Sequence, residues 1–139
     1  MACVAILLLS WSWQTNFEKA KTEAKLNHKL ILLNFSGSDW CVPCMQMQRE
    51  IFLKEEFNSF ASNHLEVVNA DFPRLKKNRL SKELVKQNDA LADQYNKEGH
   101  FPHTVLLDAD GKVLKTWDGY HGENPQTFIQ QIEANEGYR

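Results

Sequence analysis

The most informative part of the sequence is residues 29–49, which read Lys29-Leu-Ile-Leu-Leu-Asn-Phe-Ser-Gly-Ser-Asp-Trp-Cys41-Val-Pro-Cys44-Met-Gln-Met-Gln-Arg49. The apolar run from Leu30 to Phe35 is too short for a helix and ends at Ser-Gly-Ser, which is typical of a strand buried on both faces. Pro43 stands where the first turn of a helix is expected, a position that tolerates proline because its N–H would have no intrahelical partner. The stretch therefore predicts a buried strand, a tight turn and a helix that begins at the cysteines.

The Cys-x-x-Cys sequence carries the chemistry. At this spacing Cys41 and Cys44 lie on one face of the starting helix, within disulfide reach. Unpaired N–H groups and the positive end of the helix dipole favour a thiolate at Cys41. We therefore expect Cys41 to be an exposed nucleophile that attacks a disulfide, and Cys44 to resolve the resulting mixed disulfide.

A structural zinc half-site is the alternative interpretation of the two cysteines, and it needs two further ligands. The sequence contains no second cysteine pair, since the third cysteine is the isolated Cys3. Its five histidines show no His-x₃₋₅-His spacing, and the nearest pair is His100 and His103. We predict a redox-active dithiol with no metal and no cofactor beyond the Cys41–Cys44 pair itself.

Composition narrows the class of protein without identifying a substrate. A chain of 139 residues fits one domain with one sizeable core. Its 42% hydrophobic and 24% charged residues are ordinary for a globular protein. A net charge of −2 argues against nucleic acid or an anionic membrane as the main partner.

The N-terminal stub, residues 1–10, is apolar but too short to span a bilayer, and it lacks the basic beginning of a signal peptide. One interpretation is the remnant of an export signal, and the other is a first strand or a disordered leader. We expect a single domain over residues 11–139, no stable membrane insertion and a periplasmic or otherwise exported protein. A cytoplasmic location is the alternative.

The rest of the chain predicts the element order β-α-β-α-β-α-β-β-α. A strand is expected at Ser10–Trp13, followed by a helix to about Leu26 that begins with a Thr15/Glu18 capping box. The basic stretch 74–79 is expected to be a solvated loop. Early βα alternation followed by a hairpin and a closing helix predicts an α/β protein, with a mixed central sheet flanked by helices on both faces.

The segment Ser36-Gly-Ser-Asp-Trp-Cys-Val-Pro-Cys44 resembles the Trp-Cys-Gly-Pro-Cys site of thioredoxins. It is more similar still to exported bacterial thioredoxin-like thiol–disulfide oxidoreductases, which often carry Gly-Ser-Asp-Trp-Cys-x-x-Cys. The resemblance extends from about Trp11 to the C-terminus and implies a thioredoxin fold. It also implies that the partners are protein thiols or disulfides and an unidentified redox partner, with the chain acting as a monomer.

The resemblance also suggests substrate-binding residues. Pro102 resembles the cis-proline that faces the dithiol in this fold and presents backbone to substrate. Phe101 precedes it, at a position that touches substrate in the family, although two residues rather than one separate Gly99 from the proline. Trp40 is expected to be a partly exposed platform. Asp39 would either raise the thiol pKa or cap the helix, and His103 is considered as a partner for the thiolate.

One family feature is missing from the sequence. In thioredoxins a buried aspartate on the central strand lies behind the inner cysteine, and the matching position here is Asn34. The lysine that often accompanies that acid also has no counterpart, because Val67 and Val68 are expected to match it. Asn34 cannot titrate near neutral pH. Resolution by Cys44 is therefore expected to proceed without a carboxylate base.

The direction of electron flow is the least determined part of the function. Val42 and Pro43, between the cysteines, offer neither charge nor a polar side chain, which favours a reductant or an isomerase over a strong oxidant. A thioredoxin-fold binding module that uses the Pro102 face without turnover is the alternative from another functional class.

Overall fold

The computed structural model describes residues 13–135, in which a four-stranded mixed sheet carries helices on both faces. The strands are β1 (Leu30–Ser36), β2 (Leu65–Asp71), β3 (His103–Leu107) and β4 (Val113–Asp118). The α-helices are α1 (Phe17–Asn27), α2 (Val42–Met47), α3 (Glu55–His64), α4 (Lys82–Tyr95) and α5 (Pro125–Glu133). A π-helical turn, Gln48–Phe52, continues α2, and a 3₁₀ turn, Lys76–Asn78, precedes α4.

The strand order in the sheet is β2-β1-β3-β4, so β1 occupies a central position. It pairs in parallel with β2, where Asn34 lies opposite Asn69, and antiparallel with β3, where Asn34 lies opposite Thr104. Every residue of β1 is buried, as its uninterrupted apolar pattern predicted. The helices that begin after β1 and β2 therefore start from the same edge of the sheet.

Two hydrophobic clusters, one on each face, hold the helices against the sheet. On one face Leu30 and Leu32 of β1 pack with residues of the π-helical turn, α3 and α5, including Phe52 and Phe128. On the other face Ile31, Leu33 and Phe35 pack with Phe17, Ala20 and Ala24 of α1 and Leu91 of α4. Alternate residues of β1 thus pack into the hydrophobic clusters on opposite faces of the sheet, which is why both faces of the strand are apolar.

The N-terminal region departs from the sequence prediction in two ways. The capping box is wrong, because Asn16 rather than Thr15 is the N-cap of α1 and accepts a hydrogen bond from the Lys19 N–H at 3.0 Å. The Thr15 carbonyl instead accepts from the Gln87 side chain on α4. The predicted strand at residues 10–13 lies outside the described residues except for Trp13, and Gln14 makes an isolated parallel bridge with Val68.

The later helix starts agree with their sequence signals. Ser81 caps α4 and Asn124 caps α5, and Pro125 occupies the first turn of α5. Within residues 13–135, no helix has both the length and the apolar character needed to cross a bilayer.

Candidate functional site

The two cysteines form a disulfide at the N-terminus of α2, with their Cα atoms 5.3 Å apart. Cys41 is the N-cap residue, and its sulfur accepts a hydrogen bond from the Cys44 N–H at 3.3 Å. The first turn of α2 contains no acidic or basic residue. The only local fields that act on the Cys41 sulfur from this turn are therefore those of the backbone N–H groups and the helix dipole.

Cys41 is less exposed than the sequence predicted. It retains 4% of its accessible surface and Cys44 retains 5%, whereas Val42 and Pro43 between them are exposed. The physical reason is that the Cys41 sulfur is covalently bonded to Cys44 and also contacts the backbone of the helix start. The expectation of an exposed Cys41 is therefore wrong for the disulfide form.

Trp40, which precedes Cys41 in the chain, is partly buried and is held by contacts with two residues of the segment after β2. Its indole N–H donates to the Phe72 carbonyl at 2.7 Å, and the Arg74 guanidinium lies 3.7 Å from its ring centroid. A Cβ at Gly37 would lie 2.2 Å from the Cε2 atom of the Trp40 ring, so only glycine fits beneath the indole. The Gly-Ser-Asp-Trp turn thus needs its glycine for space.

Asp39 has a role that the sequence did not suggest. Its carboxylate accepts from the backbone N–H groups of Arg74 and Leu75, at 2.9 and 3.0 Å, and from the Asn78 amide at 3.0 Å. The Arg74 N–H, with the help of the Asn78 and Leu75 donors, holds the pKa of Asp39 below its usual value. Of the two alternatives for Asp39, the capping of α2 does not occur, because Cys41 is the N-cap.

Phe101 and Pro102 lie close to Trp40. The peptide bond between Phe101 and Pro102 is cis, as the resemblance implied. The Phe101 ring contacts Trp40 and Phe72 edge-on, at centroid distances of 5.3 and 5.4 Å. Pro102 is buried, and its carbonyl accepts from the Gly119 N–H.

An open groove runs from Trp40 along these aromatic rings, and we call it the aromatic groove. Its lining residues come from four separate chain segments: Trp40, Phe72, Arg74, Gly99, His100, Phe101, Asp118 and Gly119. The structure therefore brings Phe101 together with Trp40, the residue that precedes Cys41 in the chain. The groove offers apolar ring surface with one positive and one negative side chain.

His103 does not act on the disulfide through its ring nitrogens. It is 9% exposed; its Nε2 lies 3.0 Å from the Tyr95 carbonyl and its Nδ1 lies 3.6 Å from an Asp118 oxygen. His100 Nδ1 lies 2.8 Å from the same Asp118 oxygen. Among the described residues, His100, His103 and Asp118 form the group of metal-ligating side chains that is close enough to hold an ion.

A buried polar cluster occupies the position of the expected carboxylate. Asn34 is 4% exposed, donates to the Asn69 side chain at 3.2 Å and accepts from the Thr104 hydroxyl at 2.9 Å. The strand register places Asn69, and not Val67 or Val68, directly opposite Asn34. Neutral hydrogen bonds therefore satisfy the Asn34 amide without any titratable group in the cluster.

Sequence reasoning missed Arg74 and Phe72 as site residues. Arg74 was grouped with the solvated basic stretch, and only the path of the chain after β2 brings it over Trp40. The available signal was topological. Loops that follow adjacent parallel strands meet at the same sheet edge, and β1 and β2 are such a pair.

Comparison with protein families gives a match that covers most of the chain. The thioredoxin-like domain family matches residues 17–135. Among solved structures, the fold is similar to that of the DsbH oxidoreductase, with a TM-score of 0.79 and 36% identity over 88% of this chain and 82% of that one. A disulphide isomerase from Xylella fastidiosa has a TM-score of 0.61 at 23% identity, which supports the fold alone.

Two curated proteins of Chlamydia pneumoniae are similar in sequence. The disulfide bond reductase DsbH is 40% identical over 131 residues, which cover 94% of this chain and 75% of DsbH. The thioredoxin-related protein DsbJ is 28% identical over 102 residues, which cover 73% of this chain but only 28% of DsbJ. The thioredoxin fold that the sequence predicted is thus confirmed.

Proposed function

Because the chain belongs to the thioredoxin-like family of thiol–disulfide oxidoreductases, we propose that it acts as a reductant of disulfide bonds in other proteins. The observation that carries the proposal is the Cys41–Cys44 disulfide at the start of α2. Trp40, which precedes Cys41 in the chain, lines the aromatic groove and contacts Phe101, the residue before the cis proline. The name of the similar reductase DsbH supports the direction of electron flow.

The proposed reaction exchanges one disulfide for another. In the reduced protein the Cys41 thiolate attacks one sulfur of the substrate disulfide, and the other substrate sulfur leaves as a thiolate that takes up a proton. The Cys44 thiolate then attacks Cys41 in the mixed disulfide and releases the second substrate thiol. The substrate gains two electrons and two protons, and Cys41–Cys44 becomes oxidised. A dithiol of an unidentified partner returns it to the reduced state.

Each site residue has a proposed part in this reaction. Cys41 is the nucleophile, favoured as a thiolate by the N-terminus of α2, and Cys44 is the resolving cysteine. Trp40, Phe101 and Pro102 are proposed to contact the substrate, and the edge-on contact between Trp40 and Phe101 supports a shared surface. A shallow wall of aromatic rings suits varied polypeptide substrates, because it adds apolar contact without demanding one sequence.

A periplasmic or otherwise exported location is proposed as well. It is supported by the apolar residues 1–10 and by the resemblance of the Gly-Ser-Asp-Trp-Cys motif to exported oxidoreductases. Fractionation of cells that express the protein from its own gene tests the location. Recovery in the cytoplasmic fraction alone would reject it.

Trapping of a substrate tests the order of the two cysteines. The reduced Cys44→Ser variant is expected to accumulate mixed disulfides with insulin, because no second thiol remains to release the substrate. The Cys41→Ser variant should trap none. Both variants should reduce insulin at least 100-fold more slowly than the wild type, measured as precipitation of the B chain. Cys3→Ser is the matched control and should retain full activity.

The trapped complex also tests the proposed contacts. In the Cys44→Ser complex, the amide resonances of Trp40 and Phe101 should shift more than those of residues on α5, which lies away from the aromatic groove. Equal trapping by Cys41→Ser and Cys44→Ser would overturn the assignment of the nucleophile. An absence of any thiol-dependent insulin reduction would instead favour a binding module without turnover.

A further inference from the structure

His100, His103 and Asp118 meet at the end of the sheet, outside the dithiol site. His103 begins β3 and Asp118 ends β4, and the two residues are direct partners across the antiparallel pair. His100 reaches the same point from the loop before β3. One ligating atom from each of the three side chains lies within 4.8 Å of the others.

The protonation of His103 can be assigned from its contacts. Its Nε2 lies 3.0 Å from the Tyr95 carbonyl, which can only accept a hydrogen bond, so Nε2 carries the proton. In the neutral ring Nδ1 is then a lone pair. Among residues 13–135 that buried atom has no hydrogen-bond partner, and it faces an Asp118 oxygen 3.6 Å away. A neutral His103 ring therefore presents a lone pair at Nδ1 toward the Asp118 carboxylate, and a cation between them would contact both atoms.

This arrangement is the one that metal-binding histidines show. Such a histidine donates its second ring N–H to a backbone carbonyl or a carboxylate, which fixes the tautomer and aims the other nitrogen at the ion. Tyr95 supplies that carbonyl for His103. The buried His103 ring is therefore already oriented, and its unpartnered nitrogen points toward the two exposed side chains.

The distances suit a shared ion with a small adjustment. Two donors about 2.1 Å from one tetrahedral ion lie roughly 3.4 Å apart. The His103–Asp118 distance of 3.6 Å is close to that value, whereas the His100–Asp118 distance of 2.8 Å is that of a direct hydrogen bond. The His100 side chain is 44% exposed and can rotate to open this contact.

We propose that His100, His103 and Asp118 form a binding site for a divalent transition-metal ion such as zinc. Two imidazoles and one carboxylate are ligands that such ions accept. With three protein ligands, at least one coordination position remains open. His100 and Asp118 also line the aromatic groove, so the ion would lie at its edge.

The prediction of no metal from the sequence considered ligand spacing along the chain, and there His100 and His103 are a poor pair. The third ligand comes from a different strand, which the β3–β4 register brings opposite His103. The two histidines enclose Phe101 and Pro102 in the sequence. A bound ion would therefore tie this segment to the end of β4.

Zinc titration of the oxidised, tag-free protein tests the proposal. The Cys41–Cys44 disulfide is kept intact and Cys3 is alkylated, so that no thiolate competes for the metal. Affinity is measured by competition with a chromophoric chelator, and the ring ¹⁵N resonances of the histidines are followed by NMR. One zinc ion per chain should bind, and the resonances of His100 and His103 should shift.

The variants decide which residues bind the ion. His100→Ala and Asp118→Asn should each weaken zinc binding at least ten-fold. The control His121→Ala should change it less than two-fold, since the His121 ring lies 2.9 Å from the backbone carbonyl of Asp118 and is not one of the three proposed ligands. The absence of saturable binding, or equal weakening by all three variants, would overturn the proposal. Circular dichroism of each variant confirms that the fold is intact before its affinity is compared.

Discussion

Gly37 and Trp40 show how a single missing side chain shapes the site. The Trp40 indole occupies the space that a Cβ at Gly37 would need, and it is held there by the Phe72 carbonyl and the Arg74 guanidinium. The Trp40 ring therefore has one defined position, one residue before the Cys41–Cys44 disulfide. Its side chain is a fixed wall of the aromatic groove and not a freely exposed platform.

Gly37→Ala is expected to lower the free energy of unfolding by about 1–3 kcal/mol, because the methyl group overpacks against the indole. Tryptophan fluorescence should change as Trp40 moves, and chemical denaturation measures the loss. In a Trp40→Phe background, Gly37→Ala should lower the free energy of unfolding by less, since the smaller ring leaves room for the added methyl group. An equal cost in both backgrounds would show that the backbone at Gly37, and not the indole, requires glycine.

Asn34 is the second residue whose identity matters chemically. A carboxylate in its place could not donate to Asn69, and burial would raise its pKa. A raised pKa in the folded state means that stability is lost as the pH rises from the unfolded value of about 4 through the folded value. The expected loss is roughly 1.4 kcal/mol for each unit of that rise.

Urea denaturation of Asn34→Asp across pH 3–9 therefore should show a stability that falls toward high pH relative to wild type. The exposed control Asn63→Asp should show no such fall. The pH profile of Cys44 resolution should gain a limb in Asn34→Asp alone. If the wild-type profile already contains that limb and the variant leaves it unchanged, the base lies elsewhere.

The segment that follows β2 is held in place by the Asp39 side chain, which belongs to the loop after β1. Asp39 binds the N–H groups of Arg74 and Leu75 and thereby fixes Arg74 over Trp40. The pKa of Asp39 is lowered in the folded protein, chiefly by the Arg74 N–H. The contribution of its carboxylate to folding stability is therefore present above the unfolded pKa. It is lost as the pH falls through the folded pKa.

Asp39→Ala is therefore expected to speed hydrogen exchange at the Arg74 and Leu75 amides, whose acceptor is removed. Exchange measured near neutral pH should show the difference. Global stability should change little, because the segment is exposed. Asp93→Ala, at an exposed position on α4, is the control. Unchanged protection at Arg74 and Leu75 would show that the 3₁₀ turn alone orders the segment.

Elements with strong local signals could be predicted from the sequence, and contacts between elements could not. The apolar run of β1 and Pro43 at the helix start depend on near neighbours, so the sequence revealed both. The Asn34–Asn69 bond and the Arg74–Trp40 contact depend on strand register and loop path, which no local pattern encodes. The same limit explains why Asp118 was not grouped with the histidines.

Across the whole molecule, oxidation state and stability are linked. Strong oxidants of this fold are strong because their reduced form is stabilised. The proposed reductant should show the reverse order, with the oxidised form more stable than the reduced form and a potential of roughly −270 to −200 mV. The uncharged first turn of α2 favours this order, since no side chain there stabilises a thiolate.

Thermal unfolding with and without dithiothreitol should therefore give a lower Tm for the reduced protein. The Cys41→Ser/Cys44→Ser double variant should be insensitive to the reductant. A higher Tm in the reduced state would place the protein with the oxidants. Equilibration with glutathione provides an independent measure of the potential.

The central position of β1 in the sheet also has a consequence for the nascent chain. Asn34 and its partner Thr104 are 70 residues apart. During translation, β1 is therefore synthesised 70 residues before β3 becomes available to pair with it. At ~5–20 residues per second the wait is roughly 4–14 s. Cys41 and Cys44 are within reach of each other throughout it. An oxidant can therefore react with the two thiols in the nascent chain, before the domain has folded around them.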